Sequence, residues 1–163
     1  MKTSDTIHLR KTLPTDLDLL FQFQLDKDGQ YLAAFMPQNA GDRDAYLAKH
    51  TKFLSDPAIT SITILIDNEI IGSIAKFVMH NEAEITYWID KKFWRQGITS
   101  TALKDFLKIE LTRPIFARVA FDNYGSQKVL EKCGFVKVGR DKGFASARQQ
   151  EIEEFIYKLT NAN

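Results

Sequence analysis

Apolar and polar positions along the chain repeat with two different periods, and each period predicts a type of element. Several short runs are rich in β-branched and aromatic residues or alternate apolar with polar positions, as strands do. These predicted strands are residues 7–11, 60–66, 70–79, 82–90 and 115–121. Apolar residues recur at helical spacing from Leu17 to about Asp26, from Asp42 to Leu54, and again after Gly97.

Turn residues separate these elements. Asp67-Asn68 and His80-Asn81 are two-residue turn signals, and they predict an antiparallel meander of the three middle strands. Thr15 is the predicted N-cap of the first helix, with Asp18 at the capping-box position. Asp42 is the predicted N-cap of the second helix.

The last third of the chain predicts a helix followed by two strands. The helix is expected from Ser126 to Cys133, with Gly134 in the left-handed position that ends many helices. The strands are expected at residues 135–139 and 154–159, separated by a polar loop. Lys27 to Gly41 gives mixed signals and is interpreted as a loop or a short helix.

The order β-α-α-β-β-β-α-β-α-β-β combines a meander with crossover units. We therefore predict an α+β (mixed α/β) fold, formed by one domain over residues 1–163. The strands at 82–90 and 115–121 should be neighbours in one sheet, because a single helix connects them.

Composition excludes several classes of function. The chain is 44% hydrophobic and 26% charged with a net charge of +1, which gives no basic surface for nucleic acid. No apolar run reaches membrane-spanning length, and residues 1–5 carry no signal-peptide core. The lone Cys133 indicates a reducing cytoplasm, and the scattered His8, His50 and His80 give no metal-ligand pattern.

The segment after the third meander strand suits an anion. A glycine loop, residues 94–97, connects that strand to a helix, and Thr99, Ser100 and Thr101 supply N-cap chemistry. A helix N-terminus presents unpaired N–H donors and a partial positive charge, so it suits a phosphate or pyrophosphate. Gly97 allows close approach of the backbone, and Arg95 adds a formal charge. An ordinary strand-to-helix turn with a glycine at its bend remains the alternative.

Two longer motifs carry a family resemblance. The first is A-E-I-T-Y-W-I-D-K-K-F-W-R-Q-G-I-T-S-T-A-L, from Ala83 to Leu103. The second is N-Y-G-S-Q-K-V-L-E-K-C-G-F, from Asn123 to Phe135. Together they resemble the GNAT acetyltransferase superfamily, and more closely its ribosomal-protein N-terminal acetyltransferase branch. The resemblance implies a central, mostly antiparallel twisted sheet of about seven strands flanked by about four helices.

The chain departs from the family pattern at two places. The family loop is commonly Gln/Arg-x-x-Gly-x-Gly/Ala, whereas here Trp94 is first, Gly97 is the shared glycine and Thr99 is last. Many members also carry a tyrosine acid seven residues after the asparagine, where this chain has Leu130. The tyrosine-acid mechanism therefore does not carry over.

The resemblance implies acetyl-CoA as cosubstrate and no metal. Backbone N–H groups near the glycine loop would bind its pyrophosphate, and the strand from Tyr87 to Asp90 would pair with the pantetheine arm. An N–H near Ile89 would polarise the thioester carbonyl. The implied cofactor-binding residues are Trp88, Ile89, Trp94, Arg95, Gln96, Gly97, Ile98, Thr99, Ser100 and Asn123.

The same resemblance implies direct attack of an amine on the thioester in a ternary complex. Glu84 is the leading candidate for general base and Glu82 the second, with a solvated strand carboxylate as the alternative for each. Ser126 is the candidate proton donor to the CoA thiolate, with Tyr124 in reserve, although Ser126 could instead cap its helix. Cys133 is expected in the core rather than as a nucleophile.

The acceptor is the least determined part. It would be a primary amine, either a small molecule or a protein N-terminus, bound between residues 27–41 and 140–150. The carboxylates of Glu82, Glu84 and Asp90 mildly favour a cationic acceptor. A catalytically silent acyl-CoA-binding module is the alternative function, and a nucleotide-phosphate domain is disfavoured because its glycine motifs are absent. Monomer and homodimer stay equally open.

Overall fold

A computed structural model describes residues 6–161, in which one seven-stranded sheet carries helices on both faces. The strands are β1 Ile7–Lys11, β2 Thr60–Ile66, β3 Glu69–Met79, β4 Glu82–Ile89, β5 Ile115–Ala120, β6 Val136–Ala145 and β7 Gln150–Leu159. The helices are α1 Leu17–Phe23, α2 Lys27–Ala33, α3 Arg43–Leu54, α4 Ile98–Ile109 and α5 Tyr124–Lys132. The expectation about a signal peptide rests on residues 1–5, which lie outside the described residues.

The sheet order is β1-β2-β3-β4-β5-β7-β6, and β4–β5 is the parallel pair among antiparallel neighbours. The predicted meander of β2, β3 and β4 is confirmed. Its two turns have positive φ at both central residues, 49° and 70° at Asp67 and Asn68, and 52° and 64° at His80 and Asn81. Such turns match the twist of the strands they join, which is why Asn and Asp are favoured there.

The α4 and α5 helices cover one face of the sheet, and α1, α2 and α3 lie over the other. On the first face Ala102, Leu103 and Phe106 of α4 are fully buried in the main core. Burial of a side chain as large as leucine or phenylalanine stabilises the fold by about 1.5–3 kcal/mol. By contrast α3 has no buried residue, so it lies less closely against the sheet than α4 does.

Several predicted boundaries were wrong. A turn of 3₁₀ helix at Pro14–Asp16 precedes α1, so Thr15 lies inside a helical turn instead of capping one. Asp18 forms an exposed ion pair with Arg43 and no capping box. The α5 helix begins two residues before Ser126, because Asn123 is its N-cap and accepts a hydrogen bond from the Ser126 N–H.

The predicted polar loop between the last two strands was also wrong. Residues 140–145 and 150–153 extend β6 and β7 into a long antiparallel hairpin. Strand β6 is the edge of the sheet and is mostly exposed on both faces, so its sequence shows no alternation of apolar residues. The ambiguous stretch from Lys27 to Gly41 contains α2, which is a fifth helix where about four were expected.

An ion pair between half-exposed Arg10 and buried Asp16 fixes the start of α1 against the sheet. The Arg10 guanidinium donates two hydrogen bonds to the Asp16 carboxylate, at 2.6 and 3.0 Å. The same carboxylate accepts from the Leu13 N–H at 2.8 Å and from the Thr63 hydroxyl at 3.0 Å. Burial opposes its ionisation, but these hydrogen bonds outweigh burial and hold the pKa of Asp16 below its usual range.

Asp16→Ala is expected to lower the free energy of unfolding by about 1–3 kcal/mol, because it leaves buried donors unpaired while the half-exposed Arg10 regains water. Urea unfolding of the variant at neutral pH measures the loss. The matched control, Asp18→Ala, removes an exposed pair and should change stability by about 0.5 kcal/mol or less. Since the folded pKa is lowered, the contribution of Asp16 should be lost as pH falls through that value. A stability difference between wild type and Asp16→Ala that stays constant from pH 5 to pH 2 would contradict this account.

Among residues 6–161, no helix is both long and apolar enough to cross a membrane. Within the same range no three His, Cys, Asp or Glu side chains are grouped as metal ligands would be.

Candidate active site

The two central strands separate in the middle of the sheet. Strands β4 and β5 pair only at Ala83–Ile115 and Glu84–Phe116, although β4 continues to Ile89 and β5 to Ala120. Beyond Glu84 each strand keeps its other neighbour, β3 or β7, and the side of β4 that faces β5 is open. An open strand edge presents backbone donors and acceptors to an extended, amide-containing ligand.

The backbone groups at this open edge follow from the β3–β4 register. Asp90 donates its N–H to the Ile71 carbonyl at 2.7 Å, and hydrogen-bonded pairs alternate along an antiparallel ladder. The N–H and C=O of Ile89 and Tyr87 therefore point away from β3 and into the gap. The Ile89 carbonyl already accepts the Trp94 indole N–H at 2.9 Å, whereas its N–H is directed at the gap.

The glycine loop follows directly and leads into α4. Arg95 and Gly97 have φ values of 64° and 76°, and the left-handed Gly97 is the N-cap of the helix. A Cβ added at Gly97 would meet nothing within 4 Å, so the space in front of the helix N-terminus is open. The prediction that Thr99, Ser100 and Thr101 cap this helix was wrong, since all three lie within its first turns and Thr101 donates its hydroxyl to the Gly97 carbonyl.

The other residues of the loop and the first turn of α4 differ in whether their side chains reach the cavity. Trp94, Arg95, Thr99 and Ser100 line the central cavity described below. Ile98 is buried in the main core, so only its N–H faces the N-terminal end of the helix. Gln96 donates to the Lys92 carbonyl, and its side-chain oxygen is buried without a hydrogen-bond partner among residues 6–161.

Glu84 lies at the point where the strands separate. Its side chain is 7% exposed, and Arg118 Nε on β5 is 3.6 Å from its carboxylate. Burial raises the pKa of Glu84, and the attraction of Arg118 opposes that rise only in part. No local sequence pattern marks Arg118, which also pairs with Glu154 on the neighbouring strand β7 at 2.9 Å. Glu82, the second candidate, is exposed and does not line the cavity.

Ser126 faces the same gap from α5. Its hydroxyl is 2.6 Å from the hydroxyl of Tyr87 on β4. Burial raises the pKa of Tyr87, so its phenol stays protonated at neutral pH and can donate to Ser126. Leu130 is fully buried and offers no proton, and Tyr124 is 65% exposed at the cavity rim.

Asn123 has a structural task that the sequence did not indicate. Its side-chain oxygen caps α5, and its amide donates to the Leu32 carbonyl at 3.3 Å, which connects α5 to α2. One amide N–H remains for a ligand. Cys133 is buried, and burial raises the pKa of its thiol to about 11, as expected of a core residue.

Trp88 lies on the opposite face of β4 from Tyr87. Its indole donates to the Phe23 carbonyl at 3.2 Å, and its ring packs against Gly29 of α2. Its backbone groups belong to a hydrogen-bonded pair with Ser73 by the alternation above. Trp88 therefore faces the α1–α3 side and is not directed at the open edge where a cofactor arm would lie.

A cavity of about 1180 Å³ connects the glycine loop, the gap between β4 and β5, and Glu84. It extends from Gly97 past Ser126 and Glu84 to the space beneath α3. The candidate residues from two distant motifs are thus brought to one gap in the sheet, with room for a cofactor arm and a second substrate.

Comparisons with known proteins agree with this geometry. A family model described as Acetyltransferase (GNAT) domain matches residues 6–136. Among the curated proteins, none matches this chain in sequence. The chain is similar in structure to RimL, a ribosomal L7/L12 alpha-N-protein acetyltransferase in complex with coenzyme A. Their TM-score is 0.82 at 20% identity, over 96% of this chain and 95% of that one.

Two further solved structures share the fold. Mycobacterium smegmatis RimJ, in complex with CoA-disulfide, has a TM-score of 0.77 at 20% identity, over 94% of this chain and 81% of that one. A mutant of the spermidine N-acetyltransferase SpeG from Vibrio cholerae has a TM-score of 0.76 at 19% identity, over 94% and 93% of the two chains.

Proposed function

This chain belongs to the GNAT family of acetyltransferases, and we propose that it transfers an acetyl group from acetyl-CoA to a primary amine. The observation that carries the proposal is the open edge of β4 beside the N-terminus of α4. The open strand edge suits the peptide-like pantetheine arm, and the helix N-terminus suits the pyrophosphate. Membership of this family makes the chain an acyltransferase. The roles of its individual residues are part of our proposal.

The thioester would lie where β4 and β5 separate. The N–H of Ile89 points into that gap and would donate to the thioester carbonyl, whose oxygen gains negative charge as the amine attacks. The N–H groups from Arg95 to Ser100, with the Arg95 guanidinium, would bind the pyrophosphate. Asn123 would add its remaining amide N–H to the arm.

Glu84 would accept the proton of the attacking amine, directly or through one water. The new C–N bond forms as the C–S bond breaks, so the amine loses one proton and the CoA thiolate gains one. A buried carboxylate with a raised pKa is a better proton acceptor than an exposed one, and Glu84 lines the cavity beside the gap.

Ser126 would return a proton to the leaving thiolate. With Tyr87 donating to Ser126 Oγ at 2.6 Å, the Ser126 proton is free to point into the gap. Tyr87 then acts as a positioning residue. The Tyr87–Ser126 pair would thus provide the proton donor that a tyrosine provides in many family members, at the position where this chain has Leu130.

Ser126→Ala is expected to lower kcat by about 10- to 100-fold with little change in the KM for acetyl-CoA, because proton donation matters only as the thiolate leaves. Tyr87→Phe should lower kcat by about 3- to 10-fold. Steady-state kinetics of both single variants and the double variant measure these effects. The double variant should be no slower than Ser126→Ala, since Tyr87 acts through Ser126. If the double variant lowered kcat by the product of the two single effects, Tyr87 would not act through Ser126. A Tyr87→Phe variant that changed stability alone would also contradict its positioning role.

A calorimetric titration with acetyl-CoA tests the cosubstrate itself. We expect one site per chain with micromolar affinity and a negative heat-capacity change, because the methylene and methyl groups of the arm are buried on binding. The alternative of a silent acyl-CoA-binding module also predicts binding, and it differs in predicting no amine-dependent release of CoA. Absence of binding would contradict both.

A further inference from the structure

A slot of small side chains leads away from Glu84 across the α1–α3 face of the sheet. Residues directly opposite each other in neighbouring strands point to the same face of a sheet. Glu84 of β4 is opposite Phe77 of β3. Thr86 of β4 is opposite Ala75 of β3, which is in turn opposite Ser61 of β2. Ser73 is aligned with Trp88. The floor of the slot is therefore formed by small residues that line the cavity, which are Ser61, Ser73, Ala75 and Thr86.

Aromatic rings form the walls of this slot. On α3 the rings of Tyr46 and His50 are stacked with their centroids 4.0 Å apart, and both residues line the cavity. Trp88 of β4 forms the opposite wall of the slot, and its hydrogen bond to the Phe23 carbonyl fixes its ring. From β4 to β2 the slot crosses two strand spacings, which is about 10 Å.

The slot is nearly neutral in charge. Burial and the neighbouring Lys49 lower the pKa of His50 to about 4, so its ring is uncharged at neutral pH. The carboxylates of Glu84 and Glu154 share the Arg118 guanidinium, and Lys49 adds a positive charge at the α3 end. Among residues 6–161, no unpaired carboxylate lines the slot to receive a second ammonium group.

Neutral hydrogen-bonding groups are present instead. The hydroxyls of Ser61, Ser73 and Thr86 make no hydrogen bond to any described residue, although all three line the cavity. The slot thus offers flat aromatic surfaces and a few neutral polar groups, which suit a planar ring with a polar edge.

We propose that the acceptor is a primary amine whose one positive charge is the reacting amine, carried on a neutral aromatic body that lies between α3 and this floor. The inference rests on the acetyl transfer proposed above and names its acceptor class. It replaces the mild preference for cationic acceptors, because Asp90 caps a turn at Lys91–Phe93, Glu82 lies outside the cavity and Glu84 is paired.

The first test compares tryptamine with spermidine as acceptors, measuring CoA thiol release with saturating acetyl-CoA. We expect kcat/KM for tryptamine to exceed that for spermidine by at least about tenfold, since the second and third charges of spermidine would face Lys49 without a carboxylate partner. A preference for spermidine would overturn the inference.

The second test shortens the slot with Ala75→Leu. The larger side chain should raise the KM for tryptamine by at least about tenfold and leave the KM values for ethylamine and acetyl-CoA unchanged, because ethylamine ends before the blocked part. Ala48→Leu is the matched control, as Ala48 is exposed and does not line the cavity. Should Ala75→Leu fail to fold, Ser61→Leu blocks the same slot from β2.

The outcomes separate this inference from the function it rests on. Equal effects of Ala75→Leu on tryptamine and ethylamine, with acetyl-CoA binding intact, would overturn the acceptor class and leave acetyl transfer standing. If no amine is turned over, calorimetric titration of the CoA-bound protein with tryptamine decides. Binding that Ala75→Leu abolishes supports the slot, and absence of binding to the wild type overturns it.

Discussion

Glu84→Gln is expected to lower kcat/KM for the amine by about 10²- to 10⁴-fold, the range that a positioned general base contributes. The substitution keeps the size of the side chain and removes its capacity to accept a proton at neutral pH. Binding of acetyl-CoA should be unchanged, because Glu84 faces the α1–α3 side of the gap and the pantetheine arm would pair with the backbone of β4. Steady-state kinetics and a parallel calorimetric titration measure both quantities.

The pH profile adds a second signature. Since only ionised Glu84 accepts a proton, wild-type kcat/KM should fall on the acid side as pH drops through the raised pKa of this carboxyl. Glu84→Gln should lose that step and keep the dependence that comes from the amine itself. Glu82→Gln on the same strand is the comparison, and it should stay close to wild type because Glu82 is exposed and outside the cavity. A larger loss in Glu82→Gln than in Glu84→Gln would move the base to Glu82.

Gly97→Trp is expected to weaken acetyl-CoA binding by about a hundredfold or more. The left-handed φ of 76° disfavours any side chain by about 1–2 kcal/mol, and an indole would occupy the open space before the α4 N-terminus. Losing two charge-assisted hydrogen bonds to the pyrophosphate removes about 3 kcal/mol or more of binding free energy. Calorimetric titration of the variant measures the loss directly.

Two controls make the Gly97 result specific. Gly41→Trp introduces the same side chain at another glycine with open space around it, and it should keep wild-type affinity for acetyl-CoA. S-acetylpantetheine lacks the pyrophosphate, so its weaker binding should be nearly equal in wild type and Gly97→Trp. If Gly97→Trp bound acetyl-CoA as tightly as wild type, the glycine loop would not be the pyrophosphate site.

Much of the fold follows from local patterns in the sequence. The meander is signalled by Asp67-Asn68 and His80-Asn81, because residues with positive φ in two-residue turns leave a compositional mark. The α4 helix is signalled by the spacing of Ala102, Leu103 and Phe106, all fully buried. Where burial dictates the residue type, the sequence predicts the element.

The elements that the sequence missed are those that burial does not mark. Strand β6 lies at the exposed edge of the sheet, so residues 140–145 are polar and resemble a loop. The seven-residue α2 helix contains Gly29, which fits against the Trp88 ring, where a Cβ would come within 2.7 Å. The cap at Asn123 was missed because a serine two positions into a helix resembles a cap in sequence.

The site divides in the same way. The glycine loop and Glu84 were found from residues that are close together in the sequence. The Tyr87–Ser126 hydrogen bond and the Arg118–Glu84 pair join residues 39 and 34 positions apart, and only the folded sheet brings them together. The floor of the acceptor slot depends on register across three strands, which no local pattern encodes.

The most direct test of acetyl transfer is product formation. Purified protein would be incubated with acetyl-CoA and tryptamine, with free CoA thiol and acetylated amine quantified together by mass spectrometry. The account predicts that thiol and N-acetyltryptamine appear in equal amounts, at a rate that Glu84→Gln lowers by about 10²-fold or more. Saturable binding of acetyl-CoA without thiol release in the presence of tryptamine, ethylamine or spermidine would contradict acetyl transfer. That result would favour the silent acyl-CoA-binding module.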